Sequence, residues 1–129
     1  MIQRFIELGQ GYSDVYELQT LATQMKDRVE NIFAFHTTME GEERTSLAVV
    51  MKPTTTGNFQ PIYICREGIP NPHVQPNKRY ELFQQIAADV KKDIIEITTR
   101  PSTFFSETEL YYSHLIGLLR MNHYLAPLQ

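Results

Sequence analysis

Between residues 32 and 66 the chain presents three β-rich apolar runs, and on either side of that block stands a segment whose apolar residues recur every three or four positions. Few folds satisfy both periods at once. The runs 32–39 (IFAFHTTM), 45–52 (TSLAVVMK) and 61–66 (PIYICR) have strand length and composition, and the polar stretch 40–44 (EGEER) joins the first two as a hairpin. The run 61–66 is apolar on both faces, which suits a central strand covered on both sides. Before the block, Val15, Leu18, Ala22, Met25 and Val29 form one stripe; after it, Tyr80, Phe83, Ile86, Ala87 and Val90 form another. The spacing predicts amphipathic helices over 14–30 and 78–92.

Two further strands are expected at 2–8 (IQRFIEL), with Ile2, Arg4, Ile6 and Leu8 on one face and Phe5 on the other, and at 93–98 (DIIEIT). Gly9-Gln10-Gly11 ends the first, and Ser13 or Asp14 is placed to cap the helix that follows, with Glu17 as partner to Asp14. Three prolines and a glycine in 67–77 predict an irregular loop there. Ser106-Glu107-Thr108-Glu109 reads as a capping box, with Phe105 stapling onto Leu110, and opens a last helix that runs to about Tyr124. The order β-α-β-β-β-α-β-α over 1–129 predicts a single α+β (mixed α/β) domain, a mixed sheet of about five strands with helices packed on it.

Composition narrows the functions. No run of 18 apolar residues occurs, so no membrane span is expected, nor does the N-terminus read as a signal peptide. The single cysteine, Cys65, suits a reducing cytoplasm. Net charge is −3 and the pI is about 5.8. Lys78 and Arg79 open the second helix while Lys91 and Lys92 close it, about 20 Å away, so they form no continuous basic stripe and nucleic acid is not an expected partner.

Strand ends gather basic and imidazole side chains: His36, Lys52, Arg66, His73 and Arg100. Among these, His36, Lys52, Arg66 and Arg100 are the candidates for an anion site, with the arginines as a bidentate clamp and His36 as acid or base. The polar loop Lys52-Pro53-Thr54-Thr55-Thr56-Gly57-Asn58 offers amides and hydroxyls to the same kind of ligand. No residue is assigned a catalytic role, and neither a metal nor a cofactor is expected. His114 and His123 fall on opposite faces of the last helix, and paired cysteines, H-E-x-x-H and an EF-hand loop are all absent.

The order α-β-β-β-α-β over 14–98 resembles the restriction-endonuclease-like core, which implies an acid near the second strand and Glu-x-Lys on the third. Here Val50 stands two before Lys52 and Ile64 two before Arg66, so the resemblance implies an inactive form. The same order is similar to small secretion-chaperone-like domains, which dimerise and bind partner segments. Nearly end to end, the opening MIQRFIELGQGYSDVYEL with HTT at 36–38 and SLAVVMKP at 46–53 resembles a small uncharacterised family of Bacillus-type bacteria. Some of its members carry a methylthioribose-kinase label; this chain has no Gly-rich loop, H-x-D or D-x-G motif to match it. The leading reading is a non-enzymatic binding or regulatory domain acting as a homodimer, with another protein as the alternative partner. The surface expected to carry that contact is on the last helix: Tyr111, Tyr112, Leu115, Leu119 and Tyr124.

Overall fold

In the computed structural model, which describes residues 2–8, 14–53 and 59–127, alternation along the strands sends side chains to two separate cores. The elements are β1 (Ile2–Glu7), α1 (Asp14–Gln24), β2 (Val29–Met39), β3 (Glu42–Met51), β4 (Phe59–Pro70), α2 (Lys78–Val90), β5 (Ile94–Thr98) and α3 (Thr108–Met121). Single 3₁₀ turns at Lys26–Arg28 and Ser102–Phe104 precede β2 and α3. The five strands lie in the order β1-β4-β3-β2-β5. β1 is parallel to β4 and β5 to β2, whereas β3 runs antiparallel to both its neighbours. Four strands therefore point the same way and bring their carboxyl ends to one edge of the sheet.

On one face Ile32 and Ala34 of β2, Leu47 and Val49 of β3 and Cys65 of β4 pack under α1 and α2. On the other, Phe33 and Phe35, Ala48 and Val50, and Ile62 and Ile64 pack under α3. Each layer exists because a strand with period 2 meets a helix whose apolar stripe is wide enough to cover it. In β1 the buried residues are Gln3 and Phe5, while Ile2 is exposed, so its core face is the one that carries Phe5. Gln3 is buried with its amide used at both ends, receiving Arg120 Nε at 2.8 Å and donating to Gln60 Oε1 and Ala126 O at 3.2 Å each.

Several sequence expectations change. The hairpin turn is only Glu40-Gly41, with φ of 51° and 82°, so 42–44 belong to β3. A two-residue turn with both φ positive matches the right-handed twist of the strands, and Gly41 adopts it without a Cβ penalty. Helix α1 stops at Gln24, and Val29 opens β2 instead of extending the helical stripe. β4 continues to Pro70 through a register shift opposite Thr45 and Leu47, leaving only 71–77 irregular. At that shift Glu67 takes a φ of 47°, although Gly68 is next to it. The capping box at Ser106 does not form. Glu107 is the N-cap of α3 without a side-chain bond, Leu110 is exposed, and Phe105 packs on Tyr111 and His114 instead. Asn77, unremarked in the sequence, does cap α2, its Oδ1 accepting from Tyr80 N at 2.9 Å. The Gly9–Gly11 break, Ser13 and the Thr54–Asn58 loop lie outside the described residues, as does the side chain of Asp14.

Candidate functional site

β2, β3 and β5 meet at the carboxyl end of the parallel strands, and there His36 is fixed from both sides. Its register partner is Thr45 of β3, and Nδ1 lies 2.7 Å from Thr45 Oγ1, itself fully buried. Across the other edge of β2, Ala34 pairs with Glu96 of β5, so the Glu96 side chain reaches diagonally to His36 and places Oε1 2.8 Å from Nε2. The same Oε1 also contacts Nε2 of His73, which the loop after β4 delivers from above the sheet. The two imidazole rings stand edge to face with centroids 5.5 Å apart. The loop is tied down beside them: Asn71 N donates to Glu43 O at 3.1 Å, and Asn71 Oδ1 accepts from His73 N at 2.9 Å.

Burial grades across the three. The side chain of His36 is 10% exposed, that of Glu96 40% and that of His73 64%. The hydrogen bond from His73 does most to hold the Glu96 carboxyl below the usual range, His36 adds to it, and partial desolvation opposes both. At Tyr80, near the start of α2, burial and the Glu96 charge both push the phenol up. An ionised carboxylate accepts only, so each imidazole must hold its proton on Nε2 unless a cation takes that proton's place. Among the described residues, His36, His73 and Glu96 are the one set of three His, Cys, Asp or Glu whose ligand atoms lie within 4.8 Å of one another.

A domain-of-unknown-function model, DUF7147, matches residues 1–125. The chain belongs to that family. No curated protein and no solved structure matches it.

The anion set expected from the sequence is not assembled in this DUF7147 chain. Lys52 is exposed at the opposite end of β3, seven positions from Thr45 and hence about 24 Å from His36. Arg66 follows Ile62 and Ile64 onto the α3 face, so the sheet stands between it and His36. There its Nε pairs with Glu7 Oε1 at 2.5 Å and its Nη1 donates to Ser102 Oγ at 3.2 Å. Arg100 stacks over the Phe104 ring at 4.3 Å, on the surface. The positions where an endonuclease-like core would hold its acids, Val50 and Ile64, are fully buried core residues.

The candidate contact surface is corrected too. Tyr111, Tyr112, Leu115 and Leu119 are all buried beneath α3 against β1, β2, β3 and β4, and Tyr124 packs edge-on to Phe33 at 5.3 Å. These four residues belong to the helix's core face and serve the wide sheet beneath it. Tyr112 donates to Glu7, and Glu67 accepts from Ser102 N at 3.1 Å and from Ser102 Oγ, so a second polar group sits on this face, built into the core.

Glu96 escaped the sequence reading, and His73, named there among the strand-end side chains, stayed outside the candidate set, because the three residues are far apart in the chain and the β2–β5 pairing that joins two of them is non-local. The one local signal was a histidine in an apolar strand beside a threonine-rich end.

Proposed function

We propose that this chain is a ligand-binding domain whose recognition centre is the His36–Glu96–His73 constellation, working in a reducing, cytoplasm-like compartment that suits the buried thiol of Cys65. The observation that carries the reading is convergence: three ionisable side chains from β2, β5 and the 71–77 loop share one carboxylate oxygen. They do so at the carboxyl end of parallel strands, where α/β sheets place their ligands. A core histidine needs one hydrogen-bond partner for each nitrogen; a second imidazole brought in by an exposed loop exceeds that need.

Self-association, the other expectation, would have to use residues other than Tyr111, Tyr112, Leu115 and Leu119, because the α3 core takes them up. Light scattering decides it.

A thermal-shift screen of small metabolites and metal ions tests the binding reading, run on the wild type and on Glu96→Gln in parallel. A bound ligand stabilises by RT ln(1 + [L]/Kd), about 2.7 kcal/mol at 100 Kd. The expected result is at least one hit that raises the wild-type Tm and leaves the variant unmoved. Hits that act equally on both proteins place the site elsewhere and overturn the reading.

A further inference from the structure

We infer that the His36–Glu96–His73 constellation binds a borderline divalent metal ion of the zinc class, with three protein ligands and one coordination position left for water or a substrate atom. The inference rests on the binding reading above and names its ligand. Two imidazole nitrogens and one carboxylate oxygen are the donor set that such ions take, whereas calcium and magnesium require six or more oxygens.

The geometry needs little adjustment. Bonds of 2.0–2.1 Å in tetrahedral array set ligand atoms about 3.3 Å apart. Nε2 of His36 and Oε1 of Glu96 stand 2.8 Å apart, and all three ligand atoms fall within 4.8 Å of one another. Opening both imidazole–carboxylate pairs toward that spacing while His73 Nε2 swings closer to His36 Nε2 converts the hydrogen-bonded cluster into a coordination sphere. The adjustable ligand is the one able to move: His73 is on a loop and mostly exposed, while His36 and Glu96 are on paired strands.

Outer contacts support the same assignment. Thr45 Oγ1 at 2.7 Å from Nδ1 fixes the orientation of the His36 ring, and when an ion replaces the Nε2 proton this hydroxyl is placed to accept a proton from Nδ1, leaving the Nε2 lone pair to the ion. A ligating histidine almost always has such a partner. With three protein ligands the sphere is incomplete, the pattern of sites where a bound water or substrate does chemistry, in contrast to closed four-ligand structural sites.

Protein stripped with a chelator is titrated with Zn²⁺ by calorimetry and with Co²⁺ by visible absorption, alongside His73→Ala, Glu96→Gln, Thr45→Val and a His114→Ala/His123→Asn control. Asparagine is chosen at 123 because that residue has a φ of 64°, which Asn tolerates. The expected result is one equivalent bound and the intense visible band of four-coordinate cobalt. Affinity should fall at least about 100-fold in His73→Ala and Glu96→Gln, fall about tenfold in Thr45→Val, and stay unchanged in the control. Circular dichroism confirms that each variant is folded; His73→Ala, on an exposed loop, remains the informative protein if a strand variant is not. Loss of binding only in the control assigns the metal to the surface histidines and overturns the inference. So does an absence of zinc and cobalt binding. If the screen still yields a ligand that Glu96→Gln loses, the binding reading survives with another ligand; if it yields none, the constellation is a structural hydrogen-bond cluster and both readings fail.

Discussion

Replacing Glu67 by glycine sets two opposed effects against each other at the irregular point of β4. Glu67 has a φ of 47°, a conformation that costs a residue with a Cβ about 1–2 kcal/mol. Glycine removes that strain but restores about 0.5–1 kcal/mol of freedom to the unfolded chain, so the backbone gain is at most about 1.5 kcal/mol. Against it stand two hydrogen bonds from Ser102 to a carboxylate whose residue is only 8% exposed. Bonds to a charged group contribute about 1.5–3 kcal/mol each, less what the carboxylate recovers in hydration. The balance is a loss of about 2–3 kcal/mol, or about 10 °C in Tm for a domain of this size. Glu67→Gln keeps the strain and one acceptor oxygen and should lose about half as much. Thermal and urea melts of the three proteins read the ranking wild type, Gln, Gly. A glycine variant that melts at or above the wild type would show that strain outweighs the carboxylate.

Alkaline stability tests the tyrosines under α3. Burial and the neighbouring Glu67 charge push Tyr111 up to about 12, and burial with its bond to Glu7 pushes Tyr112 up as well. In both cases the folded state holds its proton more tightly than the unfolded one, so the stability is intact below pH 10 and is lost as pH rises from there. Tyr111 alone accounts for about 3 kcal/mol between about pH 10 and 12, and Tyr112→Phe should flatten the curve measured by urea melts at stepped pH. Leu115→Ala empties a fully buried site and should cost about 2–5 kcal/mol; a loss under about 1 kcal/mol would mean that α3 is not packed as described. Gly41→Ala meets no atom within 4 Å but must take a φ of 82°, so chemical denaturation should show a loss of about 1 kcal/mol from conformation alone. Duplex DNA is not expected to be retarded in gels at about 0.15 M salt, because Lys78 and the Lys91–Lys92 pair lie at opposite ends of α2.

What was legible in the chain was whatever its local periods encode. The element order, the α2 stripe of Tyr80, Phe83, Ile86 and Ala87, and the strand character of 32–39 all depend on neighbours within a few residues. The continuation of β4 through Glu67-Gly68-Ile69-Pro70 was not legible, since prolines and glycine read as a loop until β3 supplies a partner for Thr45↔Ile69 and Arg44↔Pro70. The apolar breadth of α3 was legible but its meaning was not: the same residues serve a core or an interface, and only the width of the sheet beneath decides. The His36–Glu96–His73 site needed β5 beside β2, a pairing that no short-range pattern specifies.

That late pairing also sets an order of assembly. The β2–β3–β4 meander closes through short connections, whereas β1 must wait for β4 and β5 must cross the chain to reach β2. Until residues 94–98 have been synthesised and docked, β2 offers an unpaired edge flanked by Ile32, Phe33 and Phe35, the kind of exposed strand that recruits other chains. The nascent domain thus keeps an open edge until its last strand arrives, and that strand brings Glu96 with it. Pulse-labelled hydrogen exchange should find β3 amides protected ahead of those in β5.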